Sequence, residues 1–290
     1  MQSVLALPDL SIRQLEYLVA IAEEQTWADA AVSVGVTPSA LSQGLAELER
    51  RVGVPLFERV GRRRTLHPSA GVVLDHARQV VALTSDLCRW AERMNSADEG
   101  ALRIGMIDIA AVNHFPDVLQ QFRSDHPSLD FHLRVGPSRP LIEALSRGQL
   151  DLVVCVQPQS DISGIEIQPL LTEELSVYKP GGGSLGKPAD WGPWVLFPED
   201  SNTRQIISNA LSHKGAPVIV VADSPQPEVL KEMVNLGIGW TVLPNAQAES
   251  GPRPLHPSIV LGTRNLVLAT RRNAAQSPSA TALKELLQKN

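Results

Sequence analysis

Ser39, Gln43, Ala46 and Arg50 recur at three- and four-residue spacing, and Arg59, Arg62, Arg63 and Arg64 follow shortly after them. On a helix the first four share one face, with Ser42 at its flank. That face is short, polar and almost free of bulk. A helix that enters a DNA major groove needs such a face, because serine and glutamine can then reach base edges. Arginines just beyond the helix suit phosphate oxygens, which their planar fork can grip. The chemistry implied is recognition of double-stranded DNA, with Thr37, Ser39, Ser42, Gln43, Arg50, Arg59, Arg62, Arg63 and Arg64 as candidate contacts. An arginine run alone is as often a solvated surface, and it is the attached helix that decides.

The flanking residues are those needed to hold such a helix in place. Thr37 followed by Pro38 reads as an N-cap and first helical residue. Leu41, Leu45, Leu48 and Val52 form one buried stripe, and Gly53 ends the helix. Gly44 costs about 1 kcal/mol in mid-helix relative to alanine, which fits a position of close approach, to packing or to DNA. Upstream, Ser11-Ile12-Arg13-Gln14 is a capping box, and Ile12, Leu15, Leu18, Val19 and Ala22 give the helix it opens a buried face. Thr26 caps a second helix, Trp27 to Val34, ended by Gly35. Trp27 at its first turn, beside Ala30-Ala31, is read as core rather than as a DNA-stacking ring. Downstream, a Pro55-Leu56-Phe57 strand leads into an arginine-rich wing.

Ala30-Ala31, the run from Thr37 to Leu48-Glu49, and Gly53-Val54-Pro55-Leu56-Phe57-Glu58-Arg59 resemble the winged helix-turn-helix of LysR-type transcriptional regulators. The chain departs from that pattern at Pro38, where the family usually has glutamine. It departs again at His67-Pro68-Ser69-Ala70-Gly71, which replaces the usual Leu-Thr-x-Ala-Gly. The resemblance implies a DNA-binding transcription factor, and it extends over essentially the whole chain. It is weaker from Gly181 to Trp194, where this chain is shorter than the family norm.

Ser69 to Met94 reads as one helix. Val73, Ala77, Val80, Thr84, Leu87, Ala91 and Met94 alternate spacings of four and three, the a/d seam of a coiled coil. Leu74, Val81 and Cys88 form a second stripe beside it. DNA half-sites on a dyad call for a dimer, and the resemblance makes this the linker and dimerisation helix, with tetramers through the C-terminal domains. A hinge follows at Asn95 to Gly100. Apolar runs at Leu102–Met106, Leu129–Val135 and Leu150–Val156 then alternate with helical stretches at Phe115–Ser124 and Leu141–Arg147, which predicts a parallel sheet. After Pro158, strands are expected at Leu175–Tyr178, Val195–Phe197 and Val218–Val221, with helices from Thr203 and Pro227. Asn265–Thr270 returns to the first lobe, closed by a helix over Ala282–Leu287. Gly237 to Pro244 resembles a segment usual in the family's ligand-binding domain.

The expected fold class is therefore α/β with an N-terminal all-α winged helix-turn-helix, a long linker helix, and a two-lobed periplasmic-binding-protein-like effector domain. The expected divisions are 1–68, 69–96 and 97–290, with lobe I at 97–157 and 263–290 and lobe II at 158–262.

Charge looks wrong for a DNA-binding chain, at −5 overall, until its distribution is read. No lysine precedes Lys179, and Glu58 is the only acid between Arg50 and Arg64. Local charge, not the whole-chain sum, sets attraction to phosphate. Cys88 and Cys155 stand far apart and lack metal or redox spacing. No signal peptide and no membrane-length apolar run is visible, so a cytoplasmic protein without a membrane partner is expected. Nothing recommends an enzyme, a cofactor or a metal. The histidines form no H-x-x-x-H pair, and no G-x-S-x-G elbow, phosphate loop or dinucleotide loop occurs. Asp151 reads as a turn-to-strand residue.

Ligands of open α/β sheets sit beyond the carboxyl ends of strands, at helix N-termini whose free N–H groups favour anions. Three such turns can be placed: Asp108-Ile109, the turn at Ser138, and Asn202-Thr203-Arg204. If the lobes face each other, these turns line one cleft. Ser138, Asn202 and Thr203 suit a carboxylate, whereas Asp108 suits an amine or hydroxyl, which makes the expected effector an organic acid or amino-acid-like metabolite. All three also read as ordinary helix caps. The favoured function is a dimeric or tetrameric DNA-binding regulator modulated by a small molecule. The alternative is a constitutive repressor or architectural DNA-binding protein whose C-terminal domain only mediates oligomerisation.

Overall fold

The computed structural model describes residues 9–60, 63–95, 100–272, 274 and 277–289. They form two compact units. The first holds α1 (Ile12–Glu23), α2 (Trp27–Ser33), α3 (Pro38–Val52), the antiparallel hairpin β1 (Phe57–Val60) and β2 (Arg63–Leu66), and α4 (Ala70–Asn95). Leu15 and Leu18 of α1, Ala30 and Ala31 of α2, and Leu41, Leu45 and Leu48 of α3 meet in one core, joined by Leu56 and Phe57. Trp27 packs against this core, its ring 5.2 Å from that of Phe57.

Two local expectations are corrected here. Ile12 is 49% exposed, because the first turn of α1 overhangs the core, and Ala20 is buried instead. Pro55 and Leu56 precede the strand, which begins at Phe57. The long helix is present, but its apolar seam divides. Ala70, Leu74 and Ala77 are buried in the first unit's own core, and α4 lies along α1 there. Val80, Leu83 and Leu87 are exposed, Leu87 at 61%. The hinge expected after Asn95 falls largely outside the described residues.

The second unit opens with β3 (Ala101–Met106), α5 (Pro116–Asp125), β4 (Asp130–Val135), α6 (Ser138–Ser146) and β5 (Leu152–Val156). As the alternation requires, β4, β3 and β5 are neighbours and parallel. Asp151 closes this layer by accepting the Arg103 N–H at 2.8 Å, a structural role. A π-helical turn, Ala110–His114, follows β3.

The rest comprises β6 (Ile165–Tyr178), β7 (Trp194–Leu196), α7 (Asn202–His213), β8 (Val220–Asp223), α8 (Pro227–Asn235), β9 (Thr241–Pro244), α9 (Asn245–Ala248), β10 (Ile259–Arg271) and α10 (Pro278–Lys289). The principal sheet has the order β4-β3-β5-β10-β6-β9, and it is mixed rather than purely parallel: β10 runs antiparallel to both β5 and β6. β6 and β10 far exceed the short strands expected at their ends. Each enters two cores. One core holds Ile104, Phe122, Val153, Leu268 and Leu283, and the other holds Tyr178, Trp194, Ile207, Val242 and Leu261. Two lobes joined by a pair of shared strands result.

Candidate nucleic-acid interface and effector cleft

Helix α3 is built as its residues dictate. The Thr37 hydroxyl accepts the Ala40 N–H at 3.2 Å, Pro38 takes the first helical position, and Gly53 closes the helix in the left-handed region at φ 76°. With Leu41, Leu45 and Leu48 buried, Ser39, Gln43, Ala46 and Arg50 face solvent and Ser42 lies half-buried at the margin. The structure therefore presents the polar row as one face. Thr37 is exposed, but its oxygen is already occupied as the helix cap.

Gly44 is explained by packing. A Cβ there would stand 2.7 Å from the Tyr17 ring of α1, a distance that no carbon pair tolerates. Arg13 sits over the other end of this arrangement, 5.9 Å from the Tyr17 centroid, and donates to the Val34 carbonyl at 2.8 Å. The glycine thus sets how closely α1 and α3 approach.

The arginines are not equivalent. Arg50 is paired with Glu47 one turn earlier, Nε to Oε2 at 2.8 Å, and Arg51 binds the same carboxylate and Asp9. The Arg50 and Arg51 hydrogen bonds hold the Glu47 carboxyl at about 2, well below the usual carboxylate range. Arg50, expected as a DNA contact, stays 70% exposed at the end of the polar face and shares the single Glu47 carboxylate with Arg51. In the wing, Arg59 of β1 lies opposite Arg64 of β2, and Arg63 opposite Val60. Arg62 and the side chains of Arg59, Arg63 and Arg64 lie outside the described residues.

The wing's base is tied to α3 and α4. Glu49 accepts the Leu56 N–H at 3.2 Å, Ser69 donates to the Pro55 carbonyl at 2.7 Å, and the His67 N–H reaches the Leu56 carbonyl at 2.9 Å. The His67-Pro68-Ser69 departure therefore still performs a clamping task.

In the second unit, the carboxyl ends of β4, β3 and β5 converge as anticipated. The Ser138 hydroxyl, at the start of α6, accepts the Val156 N–H at 3.2 Å. Asn202, opening α7 in the other lobe, donates to the Val156 carbonyl at 3.5 Å. Asp108, half-buried beyond the middle strand, accepts from Gln247 of α9 at 3.0 Å. Both Asn202 and Gln247 reach from one lobe to the other.

The side chains of three other expected ligand residues are engaged within the protein. Ile109 is fully buried in the first lobe's core, so its side chain is structural. Thr203 is 4% exposed and its hydroxyl accepts from Arg264 at 2.9 Å. Arg204 turns back into its own lobe, to the Phe197 carbonyl at 2.9 Å and Ser208 at 3.1 Å. Of the six expected residues, Asp108, Ser138 and Asn202 are those whose side chains bond at the ends of β3 and β5 or across the lobes.

Sequence reasoning missed the groups between the lobes. Glu173 of β6 and Arg264 of β10 are register partners, and their side chains pair at 2.7 Å, each about 4% exposed. His114, at the end of the π-helical turn, meets the other Glu173 oxygen at 2.7 Å. Burial pulls the Glu173 carboxyl upward, but the His114 hydrogen bond and the Arg264 charge outweigh it, so it titrates below its ordinary value. Thr203 completes the chain from lobe to lobe. One sign was available: charged residues facing each other from two runs that are otherwise good strands.

Comparison with known proteins agrees with this architecture. The family model described as the bacterial regulatory helix-turn-helix protein, lysR family, matches residues 12–70, and that of the LysR substrate binding domain matches 95–290. The chain belongs to the LysR family of DNA-binding transcriptional regulators. Among curated relatives, the HTH-type transcriptional activator IlvY of Salmonella typhimurium is 26% identical over 278 residues, covering 93% of this chain and 91% of IlvY. The transcriptional dual regulator GltC of Bacillus subtilis is 28% identical over 252 residues, covering 84% of each. Among solved structures, a full-length OxyR variant from Pseudomonas aeruginosa superposes with a TM-score of 0.60 at 22% identity, over 96% of this chain and 93% of that one. CbnR, solved with its target DNA, gives 0.57 at 20% identity over 96% and 99%. These last two likenesses concern the fold. No helix among the described residues is long and apolar enough to cross a membrane.

Proposed function

We propose that this regulator reads DNA through Ser39, Ser42 and Gln43 and anchors itself on phosphates through Arg59, Arg62, Arg63 and Arg64. The observation that carries the reading is the exposed polar face of α3, backed by an apolar face wholly consumed in packing. A helix so divided has its outer face free for a groove. Arg50, which shares the single Glu47 carboxylate with Arg51 and stays exposed, adds to this anchoring from the end of α3. Dimerisation is assigned to the exposed part of α4 around Val80, Leu83 and Leu87, where an apolar strip otherwise faces water. The two-lobed unit binds a small effector between its lobes, near Asp108, Ser138 and Asn202, and contributes further contacts between dimers. The regulator acts in the cytoplasm and turns nothing over.

Binding measured against salt tests the wing. Each phosphate contact contributes about 0.9 to the slope of log affinity on log salt. Arg63→Ala should weaken binding to all duplexes alike and lower that slope by roughly one unit. An unchanged slope and affinity would remove the wing from the interface.

A further inference from the structure

We infer that Ala46 reads a thymine, its methyl packing against the thymine C5-methyl of the base pair beside the one that Gln43 contacts. This rests on the groove-reading assignment of α3 made above and adds a position read without a hydrogen bond. At 3.6 residues per turn, Ser39, Gln43, Ala46 and Arg50 fall within a sector of about 60°. Ala46 is exposed inside that sector, one turn after Gln43 and one turn before Arg50. The apolar side of α3 is taken up by Leu41, Leu45 and Leu48, so the Ala46 methyl has no place in the protein's own core.

A methyl pressed into the major groove must meet something apolar. Against the guanine edge, the cytosine amine or the adenine edge, it would take water from polar groups and return no hydrogen bond. The thymine methyl is the apolar feature of that groove, and alanine is among the side chains that fit it. Spacing fixes which pair is meant. Three residues of helix advance about 4.5 Å, and successive base pairs stand about 3.4 Å apart. Gln43 and Ala46 therefore address neighbouring pairs rather than the same one.

The neighbouring side chains leave that pair to Ala46. Glu47 is the only acid between Thr37 and Leu48, and both its carboxylate oxygens accept from Arg50 and Arg51. Glu49 accepts the Leu56 N–H at 3.2 Å. Both carboxylates are thus turned to partners within the protein, rather than to a cytosine amine, the group an acid would read in the groove. What α3 offers around Ala46 is the Gln43 amide, which suits adenine, and the Ser39 and Ser42 hydroxyls, which suit any pair.

The test starts from the duplex that the full-length wild type enriches from a random pool. Each thymine of a half-site is replaced in turn by deoxyuridine, which removes the C5-methyl and keeps the base pair. Loss of one buried methyl should weaken binding about fourfold per half-site, at the pair beside the one where Gln43→Ala relaxes preference. Ala46→Gly should bind the thymine and deoxyuridine duplexes equally, and Ala46→Ser supplies the same comparison if the glycine variant fails to fold. A wild type indifferent to every thymine methyl overturns the proposal, as does a methyl preference that the Ala46 variants keep in full. A selected site without thymine beside the Gln43 position overturns it too. If Gln43→Ala relaxes preference in any of these cases, the groove reading stands without Ala46. A wild type that enriches no sequence counts against both.

Discussion

Gly44 shows how a single residue can couple packing to recognition. Replacing it by alanine gains about 1 kcal/mol of helix propensity, but the new methyl would press 2.7 Å from the Tyr17 ring. Overpacking of this kind typically costs about 1–3 kcal/mol, so the clash wins. Gly44→Ala should therefore lower the unfolding free energy of the first unit, measured by denaturant titration. In a Tyr17→Ala background the same change should instead stabilise. Destabilisation in both backgrounds would mean that the glycine serves something other than the α1–α3 approach. Glu173 makes the opposite point, since its importance lies in charge rather than in space. Its carboxyl is held below its ordinary value, so its contribution is present at neutral pH and fades as the pH falls through that lowered value. Glu173→Gln strands a buried Arg264, and removal of one partner of such a pair typically costs about 3–5 kcal/mol. The variant should melt earlier at pH 7 and lose less stability on acidification than the wild type. An unchanged melting profile would show that the pair contributes nothing between the lobes.

At the scale of elements, α4 carries two tasks along one helix. Its first turns complete the core of the first unit through Ala70, Leu74 and Ala77, and further along Val80, Leu83 and Leu87 leave an apolar strip uncovered. Leu87→Glu should leave folding intact, because Leu87 is 61% exposed, while converting dimers to monomers in light scattering. Persistent dimers would transfer the interface elsewhere. The heptad spacing revealed the helix but not this division, because a spacing specifies a face and not the partner that covers it. Elsewhere the sequence was legible wherever local rules act alone. The Thr37 cap, the Gly53 stop and the Leu41-Leu45-Leu48 stripe were all readable from their own residues. The alternation from Leu102 to Val156 likewise announced three parallel strands. The long strands β6 and β10 were read short because Glu173 and Arg264 interrupt their apolar pattern. Those charges look like loop residues until each is seen to neutralise the other across the ladder. Of the expected cleft residues, Ser138 and Asn202 were legible as helix starts, whereas the turning of Arg204 and the burial of Thr203 depend on distant partners.

At the scale of the whole molecule, the chain concentrates basic charge at one end of an acidic protein. Net charge is −5, yet the wing and the end of α3 hold six arginines between Arg50 and Arg64. Two of them, Arg50 and Arg51, share the Glu47 carboxylate. In the proposed reading, phosphate attraction falls mainly to the wing and sequence preference to the polar face of α3. The most direct test of that division is a selection of random duplex DNA by the full-length chain, repeated with Gln43→Ala. The account predicts that the wild type enriches a dyad-symmetric site. It predicts that the variant loses about 1–3 kcal/mol of discrimination at one base pair per half-site, with the remaining positions and the salt slope retained. Failure of the wild type to enrich any sequence, or an identical preference at every base pair in the variant, would contradict it.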